Sequence, residues 1–118
     1  MVLDSRRLRN GFIKKGEITL KLWLDDVRPA PEGYVWIKTV YHAIEHIQVR
    51  EEDGHPFELI DIGHDAGDFI GAGGDYIKLL DWLEETGRDY PIRIHSMNPV
   101  GVANMRRIIE RNGWKEIR

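Results

Sequence analysis

The chain has 118 residues, no cysteine, 42% hydrophobic and 31% charged residues, and a formal net charge of −3. That length supports one domain with a real core, and the missing cysteines exclude disulfides, thiolate zinc sites and cysteine nucleophiles. The mild acidity provides no broad basic surface for nucleic acid, and no apolar run approaches membrane-spanning length, so no membrane partner is expected.

Residues 1–17 read as an N-terminal extension and 18–118 as a single domain. The extension is basic and glycine-punctuated, and no apolar signal core follows Arg6, Arg7 and Arg9, which makes a cytoplasmic location the expectation. From Ile18 to Leu24 the pattern alternates and then runs apolar, as a strand does. Residues 28–33 (RPAPEG) form a stiff loop, and Tyr34 to Lys38 is a second strand, aromatic and β-branched. Thr39 is a helix cap ahead of Val40, Ala43, Ile44 and Ile47 at helical spacing. After a loop at 51–56, Phe57 to Ile62 is a third strand. A glycine-rich segment follows (Gly67, Gly71, Gly73, Gly74), then a helix over 75–85 closed by Gly87. Pro91 to His95 is a fourth strand, Asn98–Pro99 reads as a turn, Val102 to Arg111 as a helix, and residues 114–118 as a short last strand. The order β, β, α, β, α, β, α, β implies a mostly parallel sheet covered on both faces. One joint is awkward: eight residues with two prolines are short for a parallel crossover. Either an extended loop makes it, or the first two strands are not parallel neighbours.

Three polar clusters fall at strand ends. Asp25, Asp26 and Arg28 follow the first strand, His64, Asp65 and Asp68 the third, and His95, Ser96 and Asn98 the fourth. In a parallel sheet these ends share the edge where ligands bind. The adjacent carboxylates Asp25 and Asp26 repel, so the pair wants a cation, a basic partner or water. Mg2+ suits such a pair, because it takes one or two carboxylates and keeps waters. The blander reading is an exposed Asp–Asp turn. His64 and His95 have the chemistry of general acids or bases near neutral pH, with His95 ranked first beside Ser96 and Asn98. Hydrogen bonding to nearby backbone is the alternative for each. Arg28 suits a phosphate, or an internal ion pair with Asp25 or Asp26. His42 and His46 share a helix face with no third ligand near in sequence, which suits a solvated face. The Gly71–Gly74 run lacks the residues of a phosphate-binding loop and reads as a lid or connector.

The blocks LWLDDVRPAPEGY, HD-G, GDYIKLLDWLEE and IRIHSMNPVGVANM resemble the cyclic-phosphate processing receiver-like family, over about Leu20 to Ile109. More distantly the layout resembles response-regulator receiver domains. The resemblance implies a three-layer α/β, flavodoxin-like domain whose first helix is replaced by the Pro-rich loop. It implies Mg2+ or Mn2+ on Asp25 and Asp26, with Ser96 in the place of the receiver hydroxyl. The family's third strand typically ends in Asp-His-Asp, whereas this chain has Gly63-His64-Asp65. The missing first acid is the one aligned with the receiver phosphoacceptor, which argues against phosphotransfer. The leading expectation is a metal-assisted phosphoesterase acting on a cyclic phosphate of a small nucleotide or an RNA end. His95, His64 and Asp65 would be catalytic, and Arg28, Ser96 and Asn98 would bind substrate. The second is a non-catalytic receiver-like module that binds a protein or nucleotide, which Gly63 favours. A phosphorylated signalling receiver is third.

Overall fold

The computed structural model describes residues 19–118. The extension, and Ile18 at the start of the first expected strand, lie outside the described residues. Five strands are present among the described residues: β1 (Lys21–Leu24), β2 (Tyr34–Ile37), β3 (Leu59–Ile62), β4 (Ile92–Ile94) and β5 (Glu116–Ile117). Three α-helices connect them, α1 (Val40–Glu52), α2 (Ile77–Glu85) and α3 (Pro99–Asn112), and a 3-10 turn spans Gly67–Phe69. The sheet order is β2-β1-β3-β4-β5, with every pair parallel. This is the α/β receiver-like fold that the alternation of elements implies.

The awkward joint is resolved by an extended loop. β1 and β2 pair in parallel, Trp23 opposite Trp36, although no helix joins them. Two indoles fasten the loop instead: Trp23 Nε1 donates to the Arg28 carbonyl and Trp36 Nε1 to the Asp25 carbonyl, both at 2.8 Å. Pro29 and Pro31 keep the segment extended. The chain therefore crosses from β1 to β2 with its first turn anchored at the end of β1.

The connections β2–α1–β3, β3–α2–β4 and β4–α3–β5 all step the same way across the sheet. A right-handed crossover then places every helix on one face. The core agrees. Leu22, Leu24, Ile37, Ile60, Ile62 and Ile92 form one cluster with Val40, Ala43 and Ile47 of α1, Leu79, Leu80 and Leu83 of α2, and Met105, Ile108 and Ile109 of α3. Many of these side chains are wholly buried, each stabilising the fold by roughly 1.5–3 kcal/mol relative to exposure. Of the three layers implied by the receiver resemblance, the described residues supply two. The strand residues of opposite alternation, Trp23, Asp61 and Arg93, face away from that core and stand side by side in register.

Helix boundaries follow local chemistry. Thr39 caps α1 as expected, its hydroxyl accepting from His42 N at 3.0 Å. Asn98–Pro99 is not a free turn but the start of α3: Asn98 is the N-cap, its side chain accepting from Gly101 N at 2.9 Å, and Pro99 occupies the first helical position. Proline is favoured there because its missing N–H has no intrahelical partner to lose. The Gly71–Gly74 segment packs as a connector. Ala72 O accepts from Tyr41 N at 3.2 Å, and Gly73, at φ 112°, lets the backbone lie against Val40 and Tyr41.

Tyr76 ties this connector to the sheet. It is fully buried, and its hydroxyl donates to Lys38 O at 2.8 Å just beyond β2. Tyr76→Phe keeps the ring and orphans that carbonyl. Urea unfolding should show a loss of about 1–3 kcal/mol; a loss well under half a kilocalorie would mean that water satisfies the carbonyl.

Candidate functional site

The carboxyl ends of β1, β3 and β4 open on a cleft of about 210 Å³ lined by Asp25, Asp26, Arg28, His64, Asp65, His95, Ser96 and Asn98, with Val27, Gly63 and Met97. The eight residues picked out from sequence as ligands or proton carriers thus meet in one place, because parallel strands deliver their ends to a common edge. Asp68 does not line it. His42 and His46 lie on a separate groove beside β2, with Trp36 and Phe69.

At the floor is a bridge from Asp25 through His95 to Asp61. His95 Nε2 lies 2.8 Å from Asp25 Oδ2 and His95 Nδ1 lies 2.7 Å from Asp61 Oδ1. The ring stacks on Trp23 with centroids 3.8 Å apart and planes 2° from parallel. Its side chain is 8% exposed, and the Asp61 carboxylate is wholly buried. The remaining carboxylate oxygens are also engaged. Asp25 Oδ1 accepts from Val27 N at 3.0 Å and Arg28 N at 2.7 Å. Asp61 Oδ2 accepts from Tyr34 OH at 3.2 Å and Arg93 Nη1 at 3.4 Å. A buried carboxylate needs such partners. Burial pushes Asp25 up, but the hydrogen bonds from Arg28 N, His95 and Val27 N outweigh it and hold the carboxyl below its ordinary value. Tyr34 is pushed up by burial and by the Asp61 charge.

The rim is different. The His64 ring has no hydrogen-bond partner among the described residues and lies over Gly101 in the first turn of α3, where a Cβ would overlap it. Arg28 Nη1 donates to His95 O at 3.1 Å, and its guanidinium makes no ion pair among the described residues. The alternative of an internal salt bridge to Asp25 or Asp26 is therefore not what the structure shows. Ser96 Oγ accepts from Asn98 N at 3.1 Å, and its hydroxyl donates to no acceptor among the described residues. Asp65 Oδ1 accepts from Gly67 N at 2.8 Å. Asp26 sits against Gly67, where a Cβ would collide with its carboxylate.

Trp23 escaped sequence reasoning as a site residue, and Asp61 entered it only as a nearby acid that could compensate for the one missing at position 63. The signal for Asp61 was present: one acid in the strand LIDI needs a buried partner. Its partner was not legible, since His95 is 34 residues away.

The donor set does not fit a divalent centre. Both Asp25 oxygens and both Asp61 oxygens are committed to donors, position 63 has no side chain, and among the described residues no three His, Asp or Glu are placed to hold an ion. Of the acids at the cleft and its floor, Asp26 alone accepts no hydrogen bond from the described residues.

A family model, cyclic-phosphate processing receiver domain, matches residues 20–111, so the chain belongs to that family. A search of curated proteins finds no match. No helix among the described residues is long and apolar enough to cross a membrane.

The depressed Asp25 carboxyl makes a pH prediction. Its stabilisation is complete above the ordinary 3.8 and is lost as pH falls through the lower folded value. The stability gap between wild type and Asp25→Asn should be widest near neutrality and narrow in acid below that point. A gap from urea melts that stays constant with pH would show that the carboxyl is not held low.

Proposed function

We propose that this member of the cyclic-phosphate processing receiver domain family hydrolyses a 2',3'-cyclic phosphate, on a small nucleotide or an RNA end, in the cleft at the ends of β1, β3 and β4. The observation that carries the reading is the His64 ring at the first turn of α3, without a hydrogen-bond partner among the described residues, in one cleft with the Arg28 guanidinium, which makes no ion pair among them. A helix N-terminus favours an anion through its dipole; here Pro99 has no N–H and Gly101 N is held by Asn98, so the dipole acts rather than a row of free N–H groups. Arg28 and that turn would hold the phosphate, with the Ser96 hydroxyl donating to one oxygen. Asn98 contributes through the helix it caps.

In this reaction water adds across a P–O ester bond. Its oxygen bonds to phosphorus, the bond to one ribose oxygen breaks, and the hydrogen taken from water ends on that released oxygen. His64 is the residue to carry it. Its ring is open to a ligand, whereas both His95 nitrogens are engaged, so His95 becomes a positioning residue rather than the first proton carrier. The Asp65 side chain shapes the loop that presents His64, through Gly67 N. Mg2+ or Mn2+ on Asp25 and Asp26 has no part in this reading, because their surroundings do not fit it.

The acidic rim assists turnover. A cyclic diester carries one negative charge, while the monoester product gains a second ionisation near neutral pH. Asp26 and Asp65 therefore repel product more than substrate. The fastened His95 also favours a second reading, a module that binds a nucleotide without turning it over.

Hydrolysis of 2',3'-cyclic nucleotides by purified protein tests the proposal. His64→Ala should cut kcat by ~10^2- to 10^4-fold, and Arg28→Ala should raise KM by roughly tenfold for one lost charge-assisted contact. Gly101→Ala pushes on the His64 ring, and should lower kcat with KM little changed. Wild-type binding without hydrolysis would select the module, and full activity in His64→Ala would remove His64 from the chemistry.

A further inference from the structure

The Asp25–His95–Asp61 bridge holds something the hydrolysis reading does not use. Two short N···O contacts to carboxylates need two hydrogens, and a neutral imidazole supplies one. With both acids ionised, the ring carries both. The ring stands between two buried carboxylates with Arg93 at the outer oxygen of Asp61, and a hydrogen on each ring nitrogen would satisfy both contacts. The flat stacking on Trp23 adds a favourable face for a cation.

Position 63 belongs to the same arrangement. A Cβ there would lie 3.2 Å from both Asp25 Oδ2 and His95 Nε2, the two atoms that form the contact, and 3.3 Å from Leu24 O. Gly63 is not among the positive-φ glycines, so the backbone does not require glycine. Space favours it: a Cβ would need its neighbours to give by a few tenths of an ångström. An acid at 63 would crowd the Asp25–His95 hydrogen bond; glycine lets it close.

We infer that His95 is a built-in counter-ion that replaces a divalent cation at the acid pair, and that Gly63 is the substitution that admits it. The cleft then contains a latent metal site, closed by a side chain. Removing the ring leaves the Asp25 and Asp61 carboxylates separated by the ring and two hydrogen bonds, on the order of 6–7 Å. A hydrated ion spans that, with one carboxylate bound directly at about 2.1 Å and the other reached through a bound water. Asp26 stands beside it. The inference rests on this geometry alone and not on the hydrolysis reading.

The test is metal binding, not activity. In wild type, nitrogen-detected NMR should show hydrogens on both His95 ring nitrogens, and millimolar Mg2+ should leave both signals in place. Mn2+ should not raise the Tm. His95→Ala should bind Mn2+ at least tenfold more tightly than wild type, seen as a metal-dependent rise in Tm. His95→Ala/Asp25→Asn should lose that gain. A single ring hydrogen in wild type, displacement of a ring signal by Mg2+, or a folded His95→Ala with no gain in affinity would each overturn the inference. Should His95→Ala fold only with Mn2+ present, that rescue supports it; should it not fold at all, the two wild-type signals decide.

Discussion

The hydrogen-bonded bridge from Asp25 through His95 to Asp61 is the constraint on which the site depends. Its three members come from the ends of β1, β4 and β3, which are adjacent in the sheet. A buried carboxylate that lost its donor would leave an uncompensated charge in a dry place, at a cost of several kcal/mol. Each member therefore fixes the others, and all three fix the register of the strand ends. Arg28 hangs from this frame at two points, its backbone N on Asp25 and its guanidinium on His95 O. The loops after β1 and β4 begin at the bridge residues Asp25 and His95, and the loop that carries His64 begins at Gly63, two residues beyond Asp61. Rigidity at the floor allows the rim to stay open and polar without closing on itself.

The bridge also accounts for the unusual first connection. A helix between β1 and β2 would begin soon after β1 and carry Asp26 and Arg28 away on its turns. The Pro-rich loop keeps the chain extended, and the two tryptophan N–H groups tie it to the strand ends. Trp23 thus has three tasks: its ring supports His95, its N–H holds the loop, and its edge meets Tyr34, with centroids 5.6 Å apart. Tyr34 in turn donates to Asp61. The face without a helix among the described residues is organised around a polar network rather than an apolar layer.

Much of this was readable from sequence, and the reasons are specific. The period-two and helical apolar patterns located the elements, and parallel connectivity forced Asp25, His64 and His95 to a common edge whatever the details of the loops. Periodicity was silent where a residue's role depends on a distant partner. Asp61 and His95 share a hydrogen bond because β3 and β4 pair in parallel with Ile62 opposite Ile94, and one sequence does not encode register in a legible way. The start of α3 was misplaced for a local reason: Asn-Pro suits both a turn and an N-cap with proline at N1, and the cap bond from Gly101 N to the Asn98 side chain marks the second. Which of the two strand-end histidines is open to a ligand was equally beyond reach, since it depends on who already holds the ring.

The two histidines show how one edge of a sheet assigns opposite roles to the same side chain. His95 follows a strand flanked by two acids and lies on the face that carries Trp23; its ring is held on both nitrogens and on one flat side. His64 follows a strand one place over, where it lies against Gly101 and no donor or acceptor among the described residues reaches it. The glycines set this division. At 63, glycine permits the contact that engages His95, and at 101, it permits the close approach that leaves His64 supported without being hydrogen-bonded. A methyl group at either position would press on the corresponding ring. The chemistry available to the cleft is therefore decided less by which polar residues line it than by two positions with no side chain at all.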